Sequence, residues 1–172
     1  MKKETMLILA LLLVGLILRV FTTTCYNWDE SSYLQHAEIF SGKVNNYNEL
    51  DFRPLILSLM IAFLYQFWHN PLIANLLVTI ISTLSILIIY LAAKELFDKK
   101  TAVIAAILFT FWPIHIYFSK QILVHTTASF FGLLFLLFLK KAERTKKELF
   151  FFLAGIFSAT AILTRFTYLA LI

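Results

Sequence analysis

The sequence predicts an all-α, polytopic transmembrane protein, and three observations carry that reading. The chain has 172 residues, of which 60% are hydrophobic and only 15% charged, with 18 Phe. A soluble domain is nearer half apolar and about 25% charged, so this much apolar surface needs lipid as its solvent. Mean hydropathy is +0.83. The third observation is placement: basic residues crowd two short loops between apolar runs, Lys94, Lys99 and Lys100 in one and Lys140, Lys141, Arg144, Lys146 and Lys147 in the other. Short basic loops mark the cytoplasmic side of spanning helices and suit anionic lipid heads. The net charge of +5 is therefore a topology signal. No solvated basic domain is present, so nucleic acid is not among the expected partners.

The elements follow in order. Lys2-Lys3 and the apolar run after them resemble a secretory signal, but residues 21–24 (Phe-Thr-Thr-Thr) make no small-residue cleavage site. Residues 5–24 are thus read as a first, uncleaved span, with Arg19 snorkelling from its outer end. Residues 25–71 form an outer loop. Within it Trp28 to Phe40 reads as an amphipathic helix, capped by Asn27 with Glu30 three residues on. At 100° per residue, Asp29, Ser32, Tyr33 and His36 share one stripe. Residues 55–67 are apolar but only about 13 long, too few for about 30 Å of hydrocarbon. A span there would also put Lys2-Lys3 opposite both basic loops, so 54–68 is read as an interfacial or re-entrant helix. Residues 72–97, 102–118, 122–139 and 149–165 complete five spans, with Trp112-Pro113 bending the third. The N-terminus is placed in the cytoplasm and residues 25–71 on the outer face. The apolar end from Tyr168 to Ile172 reads as that of an N-terminal part.

Cys25 is the single cysteine, so neither an intramolecular disulfide nor a thiolate metal cluster is expected; it reads as a small residue at a helix end. His36 and His125 lack a paired-ligand spacing such as HExxH, and no phosphate-binding glycine loop occurs.

The chemistry-bearing candidates lie on the outer side. Asp29-Glu30 sits where the first span meets the loop. Acids in a first turn offset the helix dipole. A carboxylate at a membrane edge also suits taking a proton from an attacking hydroxyl or holding a divalent cation. Arg53-Pro54 either anchors the interface or pairs with a lipid phosphate. Lys120, His125 and Arg165, at outer helix ends, are candidates for a phosphate-binding rim.

The order of these features resembles the N-terminal part of the GT-C membrane glycosyltransferases. The nearest branch holds the dolichyl-phosphate-mannose protein mannosyltransferases and the aminoarabinose lipid A transferases. The motifs are Trp28-Asp29-Glu30 heading an outer helix, Arg53-Pro54-Leu55 with one proline fewer than the family, and Ala92-Ala93-Lys94-Glu95-Leu96-Phe97-Asp98. Phe111-Trp112-Pro113-Ile114-His115 and Leu163-Thr164-Arg165 follow. The resemblance implies transfer of a sugar from a polyprenyl-phosphate donor to a lipid, glycan or protein acceptor. It casts Asp29 as base or as ligand of a divalent cation, Glu30 as its partner, and Arg53 as the holder of lipid phosphate. Tyr33, His36, Lys120, His125 and Arg165 are the implied substrate contacts. Family members often carry an acid where this chain has Leu123-Val124-His125, which removes a second acidic ligand. The alternatives are a non-catalytic membrane subunit or lipid-binding scaffold, and a transporter. The last expects an ionisable group deep in a span, which the reading of Arg19 as a snorkelling end residue does not supply.

Overall fold

The structure, a computed structural model, describes residues 2–21, 27–45 and 50–171. Cys25, residues 22–24 of the expected first span, and Asn46, Asn48 and Glu49 of the outer loop lie outside the described residues. Among the described residues eight α-helices follow one another: α1 (Lys2–Val20), α2 (Trp28–Phe40), α3 (Ile56–Tyr65), α4 (Pro71–Leu96), α5 (Lys99–Thr110), α6 (Pro113–Phe118), α7 (Val124–Thr145) and α8 (Glu148–Thr164). A 3₁₀ segment, Phe166–Leu171, closes the described chain, and no strand occurs among the described residues.

By length and composition, α4 and α7 can each cross a membrane. The 17 residues of α8 and the 10 of α3 are apolar but shorter. At 1.5 Å per residue α3 rises only about 15 Å. Its buried face, Leu57, Ser58, Ile61, Ala62 and Tyr65, packs beside α2 and α4. The stretch read as one bent helix over 102–118 is two helices, α5 and α6, separated at Phe111-Trp112. Proline is the cause: Pro113 has no N–H to give the Phe109 carbonyl four residues back, so the ladder stops there.

What fills that break corrects the reading of Arg19. Its side chain does not snorkel; it is 0% exposed. Nη2 reaches the Phe109 carbonyl at 3.5 Å, which also accepts the Trp112 N–H at 3.5 Å, and Nη1 reaches the Thr110 carbonyl at 3.4 Å, an acceptor left open at the end of α5. Nε donates to Ser82 Oγ on α4 at 2.7 Å, and Nη1 to the Gly15 carbonyl at 3.0 Å. A planar fork with five donors can serve acceptors spread over three helices at once, a reach that the three donors on lysine's single nitrogen lack. An ionisable group therefore does sit inside the bundle.

One end of the bundle is tied by charge. Glu4 on α1 meets Lys94 at 3.3 Å, Lys99 at 2.5 Å and the Tyr90 hydroxyl, while Arg144 of α7 meets Glu95 at 3.0 Å. Both basic loops thus gather at the end where α1 begins. Between the ends, α4 turns small polar residues inward. Thr83 and Ser85 return their hydroxyls to the carbonyls four residues back, so they satisfy themselves while letting helices approach.

The long α7 and α8 pair through Phe138 and Phe157, stacked at 5.3 Å, and Lys146 makes the turn between them with φ 55°. The segment after α8 folds back so that Tyr168 Oη donates to Ser129 Oγ at 3.2 Å. That return depends on Gly132, where an added Cβ would stand 2.5 Å from the Tyr168 ring, whereas a Cβ at Gly155 meets nothing within 4 Å. Opposite outcomes are expected from the same substitution. Gly155→Ala raises the midpoint of thermal unfolding in detergent, by about 0.5–1 kcal/mol of helix propensity. Gly132→Ala lowers it by about 1–3 kcal/mol of overpacking. Equal shifts for the two would contradict the packing of Tyr168 on α7.

Candidate functional site

The outer-loop helix α2 sets the site by turning two neighbouring acids in different directions. Adjacent helical residues point about 100° apart. Glu30 is buried at 0% exposure, and both its oxygens accept backbone N–H groups. Asn27 N–H reaches Oε2 at 2.8 Å, the carboxylate half of the expected capping box. Ile122 N–H, between α6 and α7, reaches Oε1 at 2.7 Å. Glu30 thereby fastens α2 to a turn 92 residues away.

Asp29 is consequently left outside, its side chain 59% exposed, with Oδ1 3.0 Å from Arg53 Nη1. Arg53 Nε holds Asp51 Oδ2 at 2.7 Å, so one guanidinium bridges two carboxylates. The same guanidinium lies 5.5 Å from the Tyr33 ring centroid, within cation–π range. The Asp51 hydrogen bond, opposed by burial and reinforced by Asp29, raises Arg53 above its ordinary value. Burial pushes the Tyr33 phenol up, with Arg53 opposing, so the ring serves as a neutral platform. Tyr33 is in turn fixed by Ser58 Oγ, which donates to its backbone carbonyl at 3.0 Å.

His36 is fully buried and faces the loop instead of an open surface. Its Nε2 accepts the Asp51 N–H at 3.2 Å. Asp51 is the residue that reading the motifs overlooked; a carboxylate two positions before Arg53 was the available signal. At the neighbouring helix ends Arg165 Nη1 donates to His125 Nδ1 at 2.8 Å. Lys120 is separate, lining a different cavity with Trp68, Asn75 and Thr79. Of the sequence candidates, then, Asp29, Arg53 and Tyr33 come together, His125 and Arg165 form a second pair, and His36 supports the first group from behind.

A divalent cation at this cluster would draw on Asp29, with substrate phosphate and water oxygens completing its shell. Such an ion wants six or more oxygens. Asp29 and Asp51 are the acids at Arg53, and the guanidinium already occupies both. No group of three or more His, Cys, Asp or Glu suited to a metal forms among the described residues.

The structure is thus a helical bundle with, among the described residues, two helices long and apolar enough to cross a membrane and an acid–guanidinium cluster formed by Asp29, Asp51 and Arg53. Residues 52–172, well over half of the chain, match the dolichyl-phosphate-mannose-protein mannosyltransferase family, and the chain belongs to that family. Its class is the GT-C membrane glycosyltransferase, which implies a polyprenyl-phosphate-linked sugar as donor and a glycan or protein as acceptor. The matched region includes Arg53, His125 and Arg165 and begins after Asp29-Glu30. No curated protein and no solved structure matches the chain.

Proposed function

We propose that this chain carries the outer-face part of a glycosyl-transfer site, with Asp29 as the base that accepts the acceptor hydroxyl's proton. The observation that carries the reading is the exposed Asp29 carboxylate held at 3.0 Å by Arg53. In the transfer, the acceptor oxygen bonds to the anomeric carbon while the bond from that carbon to the phosphate oxygen breaks. The bonding pair leaves with the lipid phosphate, and the hydroxyl proton passes to Asp29. Arg53 orients the carboxylate and presents a cation where an anionic donor arrives. Glu30 contributes by position alone. In this reading five segments span the membrane, the N-terminus is cytoplasmic and residues 25–71 lie outside. The gathering of Glu4, Lys94, Lys99, Glu95 and Arg144 at one end supports it.

The test is Asp29→Asn in membranes carrying the full gene product, supplied with labelled polyprenyl-phosphate sugars. Transfer is expected to fall about 100-fold or more, the scale of a lost general base, with membrane insertion unchanged. Transfer at the unsubstituted rate would remove Asp29 from the chemistry and leave the scaffold reading in its place.

A further inference from the structure

Asp51 belongs to the Asp29–Arg53 cluster, yet no motif contains it and the family match begins one residue later. It is nevertheless held at three points: its backbone N–H donates to His36 Nε2 at 3.2 Å, its Oδ1 accepts the Arg53 N–H at 3.0 Å, and its Oδ2 accepts from Arg53 Nε at 2.7 Å. His36 makes a firm seat, because its ring is fully buried and lies edge to face with that of Phe40, 6.2 Å away. With Nε2 accepting, the neutral ring carries its proton on Nδ1. The Oδ1 bond closes the local turn that an aspartate makes with the residue two positions on. The Oδ2 bond does something further. Nε lies in the guanidinium plane next to the side-chain stem, so an acceptor fixed there sets the rotation of that plane about the Cδ–Nε bond. With the plane set, Nη1 meets Asp29 Oδ1 at 3.0 Å, and the guanidinium carbon stands 5.5 Å from the Tyr33 ring centroid.

An arginine and a single carboxylate tend to close into a fork of two parallel bonds, one to each oxygen. At Asp29 such a fork would cover both oxygens and leave the carboxylate nowhere to receive a proton. We propose that Asp51 is a positioning residue for the transfer reaction. It holds Arg53 by Nε, so that the guanidinium meets Asp29 at Oδ1 through Nη1 and leaves Oδ2 open to the acceptor hydroxyl. The side chain of Asp29, 59% exposed, is reachable from outside, whereas that of Arg53 is only 24% exposed. Asp51 touches no reacting atom; it acts through Arg53, and His36 acts through Asp51. The proposal rests on the reading of Asp29 as the base.

Asp51→Asn is the deciding substitution. Its amide keeps an oxygen for the Arg53 N–H, so the turn survives, but it sets an NH₂ where Nε needs an acceptor. In membranes carrying the full gene product and labelled polyprenyl-phosphate sugars, kcat is expected to fall about tenfold, part of what a general base supplies. Asp51→Ala, which loses the turn as well, falls at least as far. A purely structural aspartate gives a different order, with Asn near the unsubstituted rate and Ala well below it, and that order overturns the proposal. The thermal midpoint of Asp51→Asn in detergent stays where it was, because Asp51 is 44% exposed and such ion pairs add little to stability. Arg53→Lys has no Nε–H for Asp51 to hold, so in that background Asp51→Asn changes kcat by less than about twofold. A full tenfold loss there also overturns the proposal. A third readout needs no turnover: in ¹⁵N-arginine-labelled protein, the Arg53 Nε–H signal is identified by its absence from Arg53→Lys. That proton is expected to exchange slowly with solvent, about tenfold or more faster in Asp51→Asn, and still slowly in Asp29→Asn. Rapid exchange in the unsubstituted protein refutes the proposal. Asp29→Asn separates the two possible failures. Transfer at full rate by that variant removes the base and this proposal with it; loss of transfer in Asp29→Asn but not in Asp51→Asn removes the proposal alone.

Discussion

Arg19→Ala is expected to cost about 3–5 kcal/mol of stability, enough to prevent a marginal protein from holding its fold. The substitution removes a side chain that serves five other residues, Gly15, Ser82, Phe109, Thr110 and His115. It leaves the Thr110 carbonyl facing the interior without a donor, strips the Phe109 carbonyl of one of its two, and leaves Ser82 and His115 without the group that orders them. In a bundle bathed by hydrocarbon no water replaces those bonds cheaply. Two comparison variants separate charge from hydrogen bonding. Arg19→Met keeps much of the volume and removes the cost of burying a charge, yet the Thr110 carbonyl remains unmet, so it still loses about 1–3 kcal/mol. Arg19→Lys keeps a cation with three donors but no fork, and is expected to fall between Met and Arg. Thermal unfolding in detergent, with elution profile as a check on aggregation, reads all three. If Arg19→Met proves as stable as arginine, the Thr110 carbonyl needs no donor and the account of the break is wrong.

Glu30→Ala is expected to cost about 3 kcal/mol and to lower sugar transfer with it, although Glu30 is 0% exposed. The buried N–H of Ile122 and the part-buried N–H of Asn27 lose a carboxylate acceptor together, each worth about 1.5–3 kcal/mol with part of the loss relieved by solvent at Asn27 and by relaxation. The start of α2 then frays and its link to the turn before α7 is gone. Glu30→Gln is the sharper probe. Its amide has one oxygen for two donors, and its NH₂ must face an N–H, so about half the stability loss is expected. Hydrogen exchange at the Ile122 amide should rise in both variants while exchange near Lys94 stays slow. Protection of Ile122 that survives Glu30→Ala would show that α2 is held by its apolar face alone.

Much of this architecture was legible in the sequence, for reasons that are local. The limits of α2 follow from a cap at Asn27, a glutamate three residues on, and Ser41-Gly42 beyond Phe40. The short α3 could not span because ten residues are too few. The proximity of the two basic loops followed from charge placement. What escaped depends on partners distant along the chain. Arg19 looks like any arginine at a helix end until the carbonyls of Phe109 and Thr110, 90 and 91 residues later, are seen to accept from it. Pro113 announced a bend, but a proline does not say which side chain will fill the gap it opens. His115 stood inside a motif that was read for its proline, and Asp51 inside a loop that was read for its arginine. Hydrophobic periodicity reports which face is buried and is silent about polar groups that meet one another inside.

The two acids of α2 also differ in length, and that difference is information. The longer one points inward and spans the gap to two backbone amides; the shorter one stays at the rim against Arg53. Reversing their order would keep the composition, the charge and the helix propensity almost unchanged. It would nevertheless leave an inner carboxylate one methylene short of its anchors and an outer one a methylene too far forward. The dipeptide therefore works as a lock and its pointer, readable in one direction only, and a search for this site by charge alone would not distinguish it from its mirror.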